Sequence, residues 1–341
     1  FNLLPGSIGD RGQVSFEYLT GFTIAGTRIN PSLITELMKG DYDVFVKCIN
    51  GRFALPVTYL ISRLKNKPFI LWTGVWMRLD TFFHRLFFPI TKYIYKKADA
   101  IVVYGSHVKK YLMDEGISGD KIFGTVHSVD NQWYSRKVEK DEIDELKNQL
   151  GISQNKKVIL YLGRLEKSKG LSFLLKAFAL IDLTNVCLVL AGKGSEKQDL
   201  ESQAKRLGVR ERVRFPGYIP INATVPYYAM ADVFVLPSIT TNLFKEPWGL
   251  VINEAFNQGC PVIATESVGA AAGGLVKDEE NGFIVPEGDI HLLSSALTKV
   301  ICDDSLKSKL SSNAKLEIKN WTNSQMVDGF CRAIDYVGRD I

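Results

Sequence analysis

Short apolar runs and longer amphipathic stretches take turns along almost the whole chain, and a parallel α/β architecture is what satisfies that rhythm. Tyr42–Ile49, Pro68–Trp72, Ala100–Val103 and Lys121–Val126 read as strands. Leu33–Met38, Leu55–Lys65, Phe82–Lys97 and Val108–Glu115 read as the helices among them. Around Asp130–Leu150 the composition turns polar, and KVEKDEIDELKNQL reads as a solvated helical linker. A second series follows, with strands at Val158–Leu162, Val186–Ala191, Val213–Phe215, Val233–Pro237, Pro261–Ala264 and Gly282–Val285 and helices such as Leu171–Ala179 and Gln198–Leu207. Two Rossmann-like, doubly wound domains are therefore expected, 1–135 and 136–320. A last helix, Thr322–Val337 within 321–341, is expected to cross back onto the first domain, because Met326, Phe330, Ala333, Ile334 and Val337 fall at helical spacing. Two such domains in tandem place a ligand in the crevice at their strand C-terminal ends.

With 341 residues, 46% of them hydrophobic, the chain can bury two cores of ordinary size. The net charge of +5 includes no long Lys/Arg block, so the basic excess points to anionic substrates or a membrane surface rather than to nucleic acid. Cys48, Cys187, Cys260, Cys302 and Cys331 are scattered without a CxxC pair, which fits reduced thiols in a cytosolic compartment. No run approaches the roughly 20 apolar residues of a spanning helix. The chain opens at Phe1 in Gly-containing loop sequence, and is expected to begin inside a domain.

Chemistry concentrates in KEPWGLVINEAFNQGCPVIA, Lys245 to Ala264, where Glu246 and Glu254 bracket a glycine turn and an apolar helix. Leu250 to Gln258 has helical character, Gly259 is a natural C′ residue and Pro261 opens a strand. Pro247 and Gly249 fix how the chain enters the helix. The N–H groups of Gly249, Leu250 and Val251 are thus expected unpaired at its positive end, where an anion fits. Upstream, the strand Val158–Leu162 turns at Gly163 into RLEKSKG, which puts Arg164 and Lys169 at a strand C-terminal end, able to clamp a diphosphate. A solvated loop is the plain alternative for that segment alone. AGKG, Ala191 to Gly194, and RFPGYI, Arg214 to Ile219, place backbone where a nucleotide could lie, or are ordinary turns.

The four histidines have no metal-ligand spacing. His84, His107 and His291 read as structural or exposed, whereas His127 ends a strand at the expected crevice and is balanced between structural and functional roles. Asp41 and Asp43 form a DxD that precedes its strand, which favours a turn over a metal site. Asp80 to Lys97 mixes aromatics with Arg85, Lys92, Lys96 and Lys97; it reads as a core-facing helix with a basic outer side, an interfacial helix being the alternative. No GxSxG elbow, HExxH or Walker loop is present.

GRLxxxKG (Gly163 to Gly170), RFPGYI and EPWGLVINEA with its spaced glutamates together resemble the retaining nucleotide-sugar glycosyltransferases of family four, which have the GT-B fold. The likeness continues through CPVIAT, SVGAA and NGFIVPEGD, so it spans nearly all of Val158–Asp289. It is looser in DVFVK, ADAIVVYGSHVKKYL and HSVD. The resemblance implies a UDP-sugar or GDP-sugar donor, held at Gly163 and along Ile219, with Arg164 and Lys169 on the diphosphate and the Gly249, Leu250 and Val251 amides on phosphate. Glu246 would meet the sugar hydroxyls and Glu254 the ribose. It further implies sugar transfer with retention to a glycan or lipid-linked acceptor in polysaccharide or glycoconjugate biosynthesis, without cofactor or metal ion, at the cytoplasmic side of a membrane. A GT-B epimerase, a phosphorylase or a non-catalytic sugar-nucleotide-binding partner subunit are the competing readings.

Overall fold

A computed structural model describes residues 18–24 and 26–338. The Gly-containing opening, 1–17, and the last residues of 321–341 lie outside the described residues. The chain packs as two compact units that divide after Phe69. Residues 70–135, expected with the first domain, share a unit with 136–320.

In the first unit, β1 (Phe22–Ile24) and β2 (Thr27–Ile29) form an antiparallel pair with Phe22 opposite Ile29. Helix α1 (Pro31–Lys39) carries its proline in the first turn, where the missing N–H has no intrahelical partner to lose. Strand β3 (Phe45–Cys48) and helix α2 (Ala54–Leu64) follow, and Phe45 N–H donates to Pro68 O at 2.9 Å. The strand starts three residues later than Tyr42. Asp41 and Asp43 lie exposed before it, with Asp43 3.5 Å from Lys67 Nζ.

The second unit holds two parallel sheets. The first is built from β4 (Phe69–Thr73), β5 (Ala100–Tyr104) and β6 (Ile122–Thr125), with Trp72 opposite Val102 and Val103 opposite Gly124. Helices α3 (Phe82–Lys97) and α4 (Ser106–Asp114) connect its strands. Ala100 to Val103 are wholly buried, which is why the sequence there is an unbroken apolar run rather than an alternation. Beyond β6 come α5 (Asn131–Tyr134) and α6 (Lys140–Gln149).

The second sheet takes β7 (Lys157–Leu162), α7 (Leu171–Ala179), β8 (Val186–Ala191), α8 (Lys197–Arg206), β9 (Val213–Gly217), α9 (Val225–Met230) and β10 (Val233–Leu236). It continues with α10 (Val251–Asn257), β11 (Val262–Thr265), α11 (Gly269–Ala272), β12 (Gly282–Val285), α12 (Ile290–Cys302), α13 (Asp304–Glu317) and α14 (Asn323–Gly338). Spatial order is β12-β11-β10-β7-β8-β9, so the winding reverses between β7 and β10. That reversal opens a crevice at the C-terminal ends of these two strands.

Helix α14 lies on β5 and β6. Thr125 Oγ1 donates to Met326 O at 2.7 Å, Arg332 Nη2 donates to Gly124 O at 2.8 Å, and the Phe123 and Tyr336 rings meet at 5.2 Å. These ties join the first sheet to the end of the chain, which accounts for the shared unit.

Two sequence expectations need correction. Helix α6 is no solvated linker: it packs on α9 with Leu146 buried, because Ile143, Leu146 and Leu150 make one apolar face. Helix α3 buries Ile94 and Tyr95, yet its outer side is not simply basic. Leu86, Phe87, Ile90 and Tyr93 are exposed beside Arg85, Lys96 and Lys97. No described helix is long and apolar enough to cross a membrane.

Candidate functional site

The crevice between β7 and β10 contains a cavity of about 350 Å³. Leu162, Gly163, Arg164 and Lys169 line it from the β7 side, and Glu246 to Val251 from the loop that follows β10 and enters α10. Arg164 is largely exposed and pairs with Glu166 at 2.7 Å, while Tyr161 Oη donates to the Arg164 carbonyl at 2.6 Å and so fixes the turn. Lys169 is buried, and Gly170 explains how it gets there. With φ at +66°, Gly170 brings the chain so close to Pro237 O that a Cβ would collide with that carbonyl.

Lys169 Nζ donates to Glu246 Oε2, and Ser238 Oγ donates to the same oxygen at 3.0 Å. Both partners are only 8% exposed. The Glu246 carbonyl accepts from Trp76 Nε1 and from Gly269 N–H, each at 3.0 Å, so its backbone is clamped from two sides. Phe244 adds a ring 4.7 Å from the Lys169 ammonium. Lys169, expected on the diphosphate, and Glu246, expected on the sugar, therefore hold one another.

Helix α10 begins without a side-chain cap, and the N–H groups of Gly249, Leu250 and Val251 have no hydrogen-bond partner among the described residues. Gly249 has φ +93°, and a Cβ there would lie 2.6 Å from Leu236 Cδ2, so this turn requires glycine. Glu254 sits one turn further on. Its Oε2 accepts from Tyr228 Oη at 2.6 Å; burial raises its pKa, and hydrogen bonds from Tyr228 and Tyr134 partly offset this. Neither Glu254 nor Ile219 is among the residues lining the cavity; Ile219 packs against the hydrophobic core. Among the described residues, no cluster of three His, Cys, Asp or Glu side chains is arranged for a metal ion.

The facing wall comes from the first sheet. Tyr104 and His127 line the cavity, their rings stacked at 4.4 Å. His107, on α4, lies 4.7 Å from the Trp76 ring and 6.1 Å from the Trp248 ring, with Nε2 3.4 Å from Pro247 O. Burial pushes the pKa of both histidines down to about 4. His107 Nδ1, His127 Nδ1 and Trp72 Nε1 are buried without partners. Sequence reasoning assigned no role to Tyr104, Trp76 or Trp248, and His107 read as structural or exposed. Trp76 meets the Glu246 carbonyl, and Tyr104 and His107 meet Trp248, across more than a hundred residues, and no local period signals such a meeting.

Residues 142–317 match the family described as Glycosyl transferases group 1. The uncharacterized glycosyltransferase MJ1607 of Methanocaldococcus jannaschii is 30% identical over 205 residues, 58% of this chain and 51% of that protein. The lipopolysaccharide core biosynthesis glycosyltransferase LpsE of Rhizobium meliloti is 38% identical over 154 residues, 45% and 42% respectively. The chain thus spans about half the length of the curated relatives it matches. Among solved structures, Anabaena Alr3699/HepE in complex with UDP has a TM-score of 0.76 at 23% identity, covering 90% of this chain and 81% of that one. At that identity the likeness concerns the fold.

Proposed function

The chain belongs to the group 1 glycosyl transferases and has the GT-B fold, and on that premise we propose that it transfers a sugar, with retention, from a nucleoside-diphosphate donor. The observation that carries this reading is the convergence of Arg164, Lys169 and three unpaired amides at Gly249, Leu250 and Val251 on one cavity beside a buried carboxylate. Fixed positive groups aimed at a diphosphate stabilise the charge that grows as it departs. The bond from C1 to the diphosphate breaks while an acceptor hydroxyl oxygen joins C1, and the acceptor's proton leaves on the diphosphate. UDP is the first nucleotide to try, since the Anabaena protein is crystallised with it.

Residues 1–135 are the acceptor side of this reading and 136–320 the donor side. The acceptor is a glycan or a lipid-linked sugar. The exposed Leu86, Phe87, Ile90 and Tyr93 beside Arg85 and Lys96 suit peripheral contact with an anionic cytoplasmic membrane face. The test is a panel of UDP- and GDP-sugars, following nucleoside diphosphate release with and without saccharide and lipid-linked acceptors. Release that depends on acceptor supports transfer. Conversion of the sugar without acceptor supports the epimerase alternative, and binding without turnover supports a non-catalytic subunit. Donor affinity is expected to persist in EDTA, because the side chains and amides supply the positive field; loss in EDTA with recovery in manganese refutes metal independence.

The two glutamates are proposed to act at opposite ends of the donor, Glu246 on the sugar and Glu254 on the ribose. Glu254→Gln is expected to weaken free nucleoside diphosphate binding by about 1–3 kcal/mol, the scale of a charged hydrogen bond. Glu246→Gln is expected to leave that affinity intact or raised, since Lys169 is released towards phosphate, while transfer falls. Calorimetry on the two variants separates the roles, and matching profiles would defeat the assignment.

A further inference from the structure

We infer that His127 is the side chain through which the first-sheet wall binds the transferred sugar, an inference that rests on the donor site proposed above. The backbone that carries it is fixed on three sides. Thr125 Oγ1 donates to Met326 O at 2.7 Å, Ser128 Oγ donates to Asn323 Oδ1 at 2.6 Å, and the His127 carbonyl accepts from Asn253 Nδ2 at 2.9 Å. The ring is fixed as well, stacked on Tyr104 and set edgewise to Trp72 at 6.4 Å and Trp248 at 6.2 Å. None of these ties engages a ring nitrogen. Nδ1 is buried with no partner, although buried polar atoms in folded proteins are nearly always paired.

An imidazole held this firmly with its nitrogens unengaged is arranged for a ligand. A neutral ring presents one donor and one acceptor, which matches a hydroxyl, itself both donor and acceptor. A diphosphate offers only acceptors and already has Arg164, Lys169 and the amides of Gly249 to Val251 on its side of the cavity. The wall of Tyr104 and His127, facing Glu246, is left to the sugar. His127 lies outside the matched segment 142–317, so the family match by itself assigns it nothing.

The test is calorimetry with UDP, GDP and their hexose derivatives on the wild type and on His127→Phe and His127→Gln. The phenylalanine variant keeps a ring packed among the aromatics and removes both nitrogens, so it separates hydrogen bonding from folding. Wild type is expected to bind one hexose donor more tightly than the matching free diphosphate. In His127→Phe that advantage shrinks about tenfold with free diphosphate affinity unchanged, and His127→Gln recovers part of it. Equal weakening of diphosphate and donor places His127 on the nucleotide and overturns the inference, as does no change in either. Failure of the wild type to bind any member of the panel removes the donor site itself, and the inference with it.

Discussion

Lys169→Met is expected to lower the free energy of unfolding by about 3–5 kcal/mol, the range for stranding one partner of a buried ion pair, and to abolish transfer. Lys169 and Glu246 are each 8% exposed and hydrogen-bonded to one another, so removing the ammonium leaves a carboxylate with only Ser238 Oγ to solvate it. The double variant Lys169→Met with Glu246→Gln separates structure from chemistry. With both charges gone the desolvation penalty goes too, and stability should return to within about 1–2 kcal/mol of wild type, while turnover stays absent because the diphosphate has lost Lys169 and the sugar has lost Glu246. Urea unfolding of the two single variants and the double, read beside donor turnover, makes the comparison. A double variant as unstable as Lys169→Met would show that the pair's charge is not what holds this corner of the crevice.

That ion pair also shows where sequence reading stops. Strand and helix positions were legible because period and turn chemistry are local: Gly259 ends α10 with φ +69° where the pattern calls for a C′ glycine, and β8 is as fully buried as its apolar run demands. The EPWG and GRLxxxKG segments could be placed at a helix start and a strand end because their glycine turns are local, and the unpaired amides of Gly249, Leu250 and Val251 follow from that placement. What the sequence could not express is the pairing across the crevice. Lys169 and Glu246 are 77 residues apart, and each was expected to await a ligand, not to hold the other. The first-sheet wall was hidden for the same reason. Trp76 reaches the Glu246 carbonyl across 170 residues, and His107, read as structural or exposed, packs buried against Trp76 and Trp248. The exposed apolar side of α3 was misread because a helix with aromatics all round gives periodicity little contrast.

Acidification from pH 7 to pH 5 is expected to weaken the fold by about 4 kcal/mol. The source is the buried His107 together with the half-buried His127. In the folded chain burial holds His107 and His127 near pKa 4, whereas in an unfolded chain they titrate at the ordinary imidazole value of 6.5. A depressed pKa means that the unfolded state binds the proton more readily. The stability these groups contribute is therefore fully present above about pH 6.5 and is lost as pH falls towards 4. At pH 5 each ring accounts for about 2 kcal/mol. Around His107, Lys245 pushes the pKa down and the Pro247 carbonyl pulls it up, and burial outweighs both. Other groups act elsewhere or oppose. Asp304, held near 2 by Lys157 and Lys307, loses its contribution only below about pH 4. Glu254, raised by burial, gains stability as pH falls and so trims the effect. Urea unfolding at pH 7 and pH 5 measures the loss. His107→Gln should remove about half of the pH dependence and the double variant with His127→Gln most of it; a double variant that still loses the full amount would place the acid sensitivity in groups other than these two rings.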